Sequence, residues 1–127
     1  MGTTVTAMGL AALGVFATSG TAHATAGGCT GSDLGQLCQT TYGDSYHVGR
    51  VEAELSSGYR CDIGFMVVGT LRNGQAFSNA KWASCGSVPS TSWSINQEFK
   101  NGSQLCVKVR TKAGSWLSDR ACIEIED

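Results

Sequence analysis

The chain has 127 residues, 42% hydrophobic and 15% charged, with nine Lys+Arg against ten Asp+Glu and a net charge of −1. It is too apolar to be disordered, too short for an eightfold βα barrel or a two-half dinucleotide-binding fold, and too nearly neutral overall to carry the footprint of a nucleic-acid-binding protein. Six Cys, seventeen Gly and a single Pro point instead to a small stapled domain with many turns.

The first apolar run, Ala7 to Ala17 (AMGLAALGVFA), has signal-peptide length and is too short to span a bilayer as a helix. Ala22-His23-Ala24 follows with the small residues that signal peptidase needs, so residues 1–24 read as a cleaved signal peptide, although no Lys or Arg precedes the apolar run. Ala26-Gly27-Gly28-Cys29 also offers small residues before a Cys, as a lipoprotein signal does, but lacks the usual Leu, and acylating Cys29 would leave an odd number of cysteines. The mature protein is therefore expected to be secreted and extracellular, with no membrane segment after cleavage. Residues 25–45, rich in Gly, Thr and Ser, are expected as a loop-rich lead-in, and residues 46–127 as the β domain.

Strand signals then follow one another. Val51, Ala53 and Leu55 alternate with Glu52 and Glu54, and Cys61, Ile63, Phe65 and Val67 alternate with a second, fairly apolar face. Asn73-Gly74 predicts a type I′ hairpin returning through Phe77 and Trp82, with Trp82 opposite Phe65. Cys85 to Ser92 (CGSVPSTS) reads as an arch between two halves. Trp93, Ile95, Gln97 and Phe99 form another alternating strand, and Asn101-Gly102 a second hairpin turn. Leu105, Val107 and Val109, then Ala121, Ile123 and Ile125, supply the last two inward faces around a turn near Lys112 to Ser115. No mature segment has a convincing amphipathic helical period. The halves 54–85 and 98–122 resemble each other weakly, each a three-stranded meander with one staple.

Cys29, Cys38, Cys61, Cys85, Cys106 and Cys122 form an even set behind an export signal, which reads as a disulfide framework. No C-x-x-C pair exists and His47 has no Cys near it in sequence, so no metal is expected. Facing residues of a hairpin have numbers of constant sum. That rule pairs Cys106 with Cys122 about Gly114 and Cys61 with Cys85 about Asn73, the latter one residue off a two-residue Asn73-Gly74 loop, an offset that a bulge absorbs. Cys29 and Cys38 then close a local loop. Pairing between the two sheets is the alternative.

The expected fold is all-β: a small antiparallel β-sandwich, or a six-stranded barrel, with three disulfides and Ig-like general architecture. The segment Leu105 to Ile125 (LCVKVRTKAGSWLSDRACIEI) resembles the last hairpin of fibronectin type III or immunoglobulin-like domains. A tight hairpin at Asn101-Gly102 departs from those folds, in which the chain crosses between sheets at that point.

Titratable residues are few. Gly43-Asp44-Ser45 resembles the nucleophile block of the GDSL esterases over three residues, but that family's catalytic His lies far downstream, whereas His47 is two residues from the Ser. His47, Arg50 and Glu52 are the remaining acid–base group. No catalytic residue and no cofactor is assigned. Lys108, Arg110 and Lys112 recur with period two and share a sheet face with Arg120, a candidate anion patch. Trp116 at a hairpin tip, with Trp93 and Tyr46 at strand starts, are candidate ligand contacts. Gly86, Ser87, Val88 and Pro89 form a loop preorganised by a disulfide and a Pro, as an inhibitor's would be. The expectation is a non-catalytic binding protein whose partner is an extracellular polysaccharide or a secreted protein. An inhibitor of an extracellular hydrolase is the alternative, and a small hydrolase around His47 the third.

Overall fold

The computed structural model describes residues 24–126. The apolar run 7–17 and the cleavage motif, except Ala24, lie outside the described residues. Eight strands follow in chain order: β1 (Ala24–Ser32), β2 (Gly35–Asp44), β3 (His47–Ser56), β4 (Ile63–Thr70), β5 (Ala76–Trp82), β6 (Ser90–Glu98), β7 (Gln104–Thr111) and β8 (Ala121–Glu124). They form two antiparallel sheets, β1-β2-β3-β6 and β5-β4-β7-β8, with no helix among the described residues. The edge strands of one sheet are not laddered to those of the other, so the molecule is a sandwich and not the six-stranded barrel.

Alternating side chains build the core. Val51, Ala53 and Leu55 of β3, Ile63, Phe65 and Val67 of β4, Leu105, Val107 and Val109 of β7, and Ala121 and Ile123 of β8 are buried on the two inner faces, with Leu37, Trp93 and Phe99 between them. The chain changes sheet between β3 and β4, between β5 and β6, and between β6 and β7. Without β1, the order β2-β3-β6 against β5-β4-β7-β8 is that of an immunoglobulin-like sandwich carrying strands A, B and E against C′, C, F and G.

Three sequence expectations are corrected. The lead-in is not loop-rich: β1 and β2 pair from Ala24↔Gly43 to Ser32↔Gly35. Its buried positions, Leu37, Gln39 and Thr41, include two polar residues, so the hydrophobic alternation that marks a strand is missing there. The two three-stranded meanders do not form either. Asn101-Gly102 makes a turn closed by Ser103 N–H donating to the Lys100 carbonyl at 3.1 Å, but it is a corner between β6 and β7 in different sheets. An Asn-Gly pair specifies a tight reversal, not the partner strand. β6 pairs with β3 instead, placing Trp93 beside Val51 on the inner face.

The third correction is one of register. The β4–β5 ladder ends at Thr70↔Ala76, and Leu71 N–H donates to Gln75 O at 2.8 Å, which leaves a three-residue loop rather than a type I′ pair. Only Gly74 has positive φ, 92°, as the left-handed residue closing such a loop requires. Asn73 Oδ1 accepts from Gln75 N–H at 2.9 Å and fixes the turn. Trp82 therefore faces Gly64 and not Phe65, and it points away from the core.

All three disulfides pair in sequence, Cys29–Cys38, Cys61–Cys85 and Cys106–Cys122. The first and last join directly facing residues of β1/β2 and β7/β8, and the middle one extends the β4–β5 register beyond the strands, so none crosses between sheets. With no free cysteine, the fold belongs to an oxidising compartment. No helix among the described residues is long and apolar enough to cross a membrane.

Candidate ligand-binding face

The outer face of the β5-β4-β7-β8 sheet is built by one cross-strand row. Trp82 on β5 faces Gly64 on β4, which faces Arg110 on β7. A Cβ at position 64 would lie 2.8 Å from the Trp82 ring, so only glycine lets the indole lie down across the sheet. Trp82 remains 51% exposed. The Arg110 guanidinium lies over its ring at 5.2 Å and over the Trp116 ring at 5.4 Å, and Lys112 Nζ lies 5.7 Å from the centre of the Trp82 ring.

Trp116 reaches this row because the segment after β7 folds back. Gly114 N–H donates to Thr111 O, and Leu117 N–H donates to Val109 O at 3.0 Å. Trp116 is thus half-buried against the sheet and not at an exposed hairpin tip. The next row carries Ala80, Met66 and Lys108, and Arg120 lies exposed just before β8.

Charge is unevenly spread over the molecule. Arg50, Arg60 and Arg72 pair with Glu52, Asp62 and Glu98 at 3.0, 2.8 and 2.7 Å. Lys108, Arg110, Lys112 and Arg120 form no ion pair among the described residues. Of the carboxylates on their sheet, Asp62 is held by Arg60 and Glu124 stands at the far end, opposite Gln104.

Two hydrogen bonds of 2.8 Å from Arg60 hold the Asp62 carboxyl below its usual range, partial desolvation opposes them, and the charges of Arg60 and, more weakly, Lys112 act in the same direction as the bonds. A depressed carboxyl stabilises the fold above the ordinary carboxylate range and loses that contribution as pH falls through the range. The stability of Asp62→Asn, followed by thermal melts, should therefore fall less steeply than wild type between about pH 5 and pH 2. The difference will be small because the pair is exposed. A steeper fall in the variant would refute the pairing.

The other sequence-selected residues lie elsewhere. Trp93 is 2% exposed, and its Nε1 has no hydrogen-bond partner among the described residues, so it is a core residue and not a ligand contact. Tyr46 sits at the opposite end of the sandwich, half-buried under the Arg72 guanidinium at 4.7 Å, with its carbonyl accepting from Phe99 N–H. In the arch, Gly86 exchanges two backbone hydrogen bonds with Arg60, Ser87 and Val88 are exposed, and Pro89 is fully buried with its carbonyl accepting from Leu55 N–H. Pro89 therefore anchors the loop and presents nothing to a partner. His47 and Glu52 are separated by roughly 16 Å of extended strand, and Arg50 is taken by Glu52 and by the Tyr42 ring at 4.8 Å.

A shallow depression of about 340 Å³ on the other sheet is lined by Cys38, Thr40, Glu52, Glu54, Ser90 and Ser92, with no aromatic ring in its lining. The residue that sequence reasoning passed over is Trp82. The equal sums of Cys61–Cys85 and of Gly64–Trp82 were the available signal. Comparison with protein-family models, curated proteins and solved structures finds no match to this chain. The functional reading therefore rests on the site itself.

Proposed function

We propose that the chain is a secreted, non-catalytic polysaccharide-binding protein whose ligand lies along the outer face of the β5-β4-β7-β8 sheet. The observation that carries this reading is Trp82, laid flat over Gly64 and half exposed on a rigid sheet, with Trp116 reaching the same guanidinium from a neighbouring element. An exposed indole offers an apolar face to the C–H face of a sugar ring and loses little entropy when its neighbours already hold it. The three disulfides and the export-like N-terminal sequence support an extracellular setting.

The test is sedimentation of the oxidised protein with insoluble chitin, cellulose and peptidoglycan. Saturable binding to at least one is expected, weakened about tenfold or more in Trp82→Ala and in Trp116→Ala, the scale of an aromatic anchor. Full binding in both variants would remove this face from consideration.

A second reading is favoured by the segments that extend this end of the sheet just beyond the Gly64–Trp82 pair. Val88 and Tyr59, 48% and 70% exposed, stand beside the Cys61–Cys85 staple and the Arg60–Gly86 bridge. Such a tip suits an inhibitor of an extracellular hydrolase. Inhibition of a protease or amylase that Val88→Asp abolishes, while Trp82→Ala leaves it intact, would establish this reading over the first.

A further inference from the structure

The Arg110 side chain narrows the ligand class. A guanidinium carries its N–H donors in its own plane and none above or below it. The Trp82 and Trp116 rings lie 5.2 and 5.4 Å from its central carbon. Its Nε–H donates to the Thr111 carbonyl at 3.3 Å, and the two terminal amino groups have no acceptor among the described residues. These two amino groups form an edge of paired donors with the geometry that fits a carboxylate or sulfate oxygen pair. Indoles fix that edge in place, so little rotamer freedom is lost when an anion arrives.

The surroundings agree with this edge. Lys112 lies against the same Trp82 ring, Lys108 is two residues along the same face, and Arg120 precedes the neighbouring strand. Elsewhere on the molecule each arginine has a carboxylate partner within 3.0 Å, whereas these four cations have none among the described residues. Like charges gathered on one sheet face repel one another unless an anion lies over them. The net charge of −1 conceals this, because acids such as Glu52 and Glu54 are on the other sheet.

We infer that the polysaccharide taken by this face is anionic, its acidic groups meeting Arg110 and Lys112 while its sugar rings lie on Trp82 and Trp116. This rests on the reading of the face as a glycan platform, and deepens it. Neutral glycans satisfy the indoles but leave the guanidinium edge facing water. Acidic sugars satisfy both.

The experiment compares matched polymers by titration calorimetry with the full oxidised protein. Polygalacturonate is set against its fully methyl-esterified form, which has the same sugar backbone without charge, and dextran sulfate against dextran, so that carboxylate and sulfate are separated. Polygalacturonate or dextran sulfate is expected to bind at least tenfold more tightly than its neutral counterpart, and the difference should shrink as salt is raised. Arg110→Gln should remove most of it. Lys108→Gln, which touches neither indole, should weaken charged-polymer binding about twofold to threefold with unchanged melting temperature, and so guards against misreading a folding defect in Arg110→Gln.

Equal, salt-insensitive binding of the charged and neutral forms, still lost in Trp82→Ala, would overturn the anionic inference and leave the glycan platform standing. No binding of any polymer would overturn both. Binding of single-stranded DNA as tight as that of the acidic glycans would also overturn the inference, because the face would then be reading phosphate and base stacking.

Discussion

Replacing Gln39 with Leu is expected to lower stability by about 2–4 kcal/mol and the melting temperature by roughly 10–20 °C. Gln39 is 2% exposed on the inner face of β2. Its Nε2 donates to the Leu105 carbonyl of β7 and the Ala121 carbonyl of β8, both at 2.8 Å, and its Oε1 accepts from Thr41 Oγ1 at 2.5 Å. The side chain thus ties one sheet to two strands of the other, in a core otherwise held by apolar packing. Leucine has a similar volume but no amide, so two buried carbonyls and one hydroxyl each lose a partner, at about 1–3 kcal/mol for a group left unsatisfied. Added apolar burial and the ladder bonds those carbonyls retain offset part of that. Thr41→Val in the Gln39→Leu background should cost less than Thr41→Val alone, because the hydroxyl has already lost its acceptor. Thermal melts of the four proteins in this cycle measure the coupling, and additive losses would show that the network does not act as a unit.

Gln39 also shows why the first hairpin is hard to read from sequence. A strand is recognised by apolar residues at every second position, and β2 fills its buried positions with Leu37, Gln39 and Thr41, while β1 supplies little but Ala, Gly and Thr. The information lay in the cysteines. The sum of Cys29 and Cys38 is the register of the whole β1–β2 ladder, centred between Asp33 and Leu34. Applied to the other two bridges, the same reasoning finds the β7–β8 and β4–β5 registers.

The candidate site was legible only in part, for a related reason. Lys108, Arg110 and Lys112 share a face because strand period is two, whatever the partner strands are. Trp82 depends on the loop at Asn73-Gly74. A two-residue loop turns its ring into the core and a three-residue loop turns it out, since a one-residue slip exchanges the faces. Trp93 lies in the core because β6 joins β3, a long-range pairing that no local turn signal encodes.

Reducing all three disulfides should unfold the domain near room temperature. The bridges close loops with separations of 9, 24 and 16 residues. Chain-entropy arguments give each roughly 2.5–3.5 kcal/mol, the longest loop most. Their sum is comparable with the whole stability of a domain this size, about 5–15 kcal/mol. The bridges are not equally reachable. Cys61 and Cys85 are both exposed at an end of the sandwich, whereas Cys106 is buried beside Cys122 on the face of the ligand site. Graded reduction, followed by alkylation and mass spectrometry, should open Cys61–Cys85 first and Cys106–Cys122 last, since thiolate attack needs access to a sulfur. The protein with only Cys61–Cys85 open should keep its β-sheet circular dichroism, because that bridge lies outside the ladders of β4 and β5. Loss of Cys106–Cys122 should melt β8, which has four residues, and with it the Gln39–Ala121 bond. Gln39 and the Cys106–Cys122 bridge therefore meet at one strand. A species with Cys106–Cys122 open, full sheet signal and unchanged melting temperature would contradict both the entropic weight given to the bridge and the role given to Gln39.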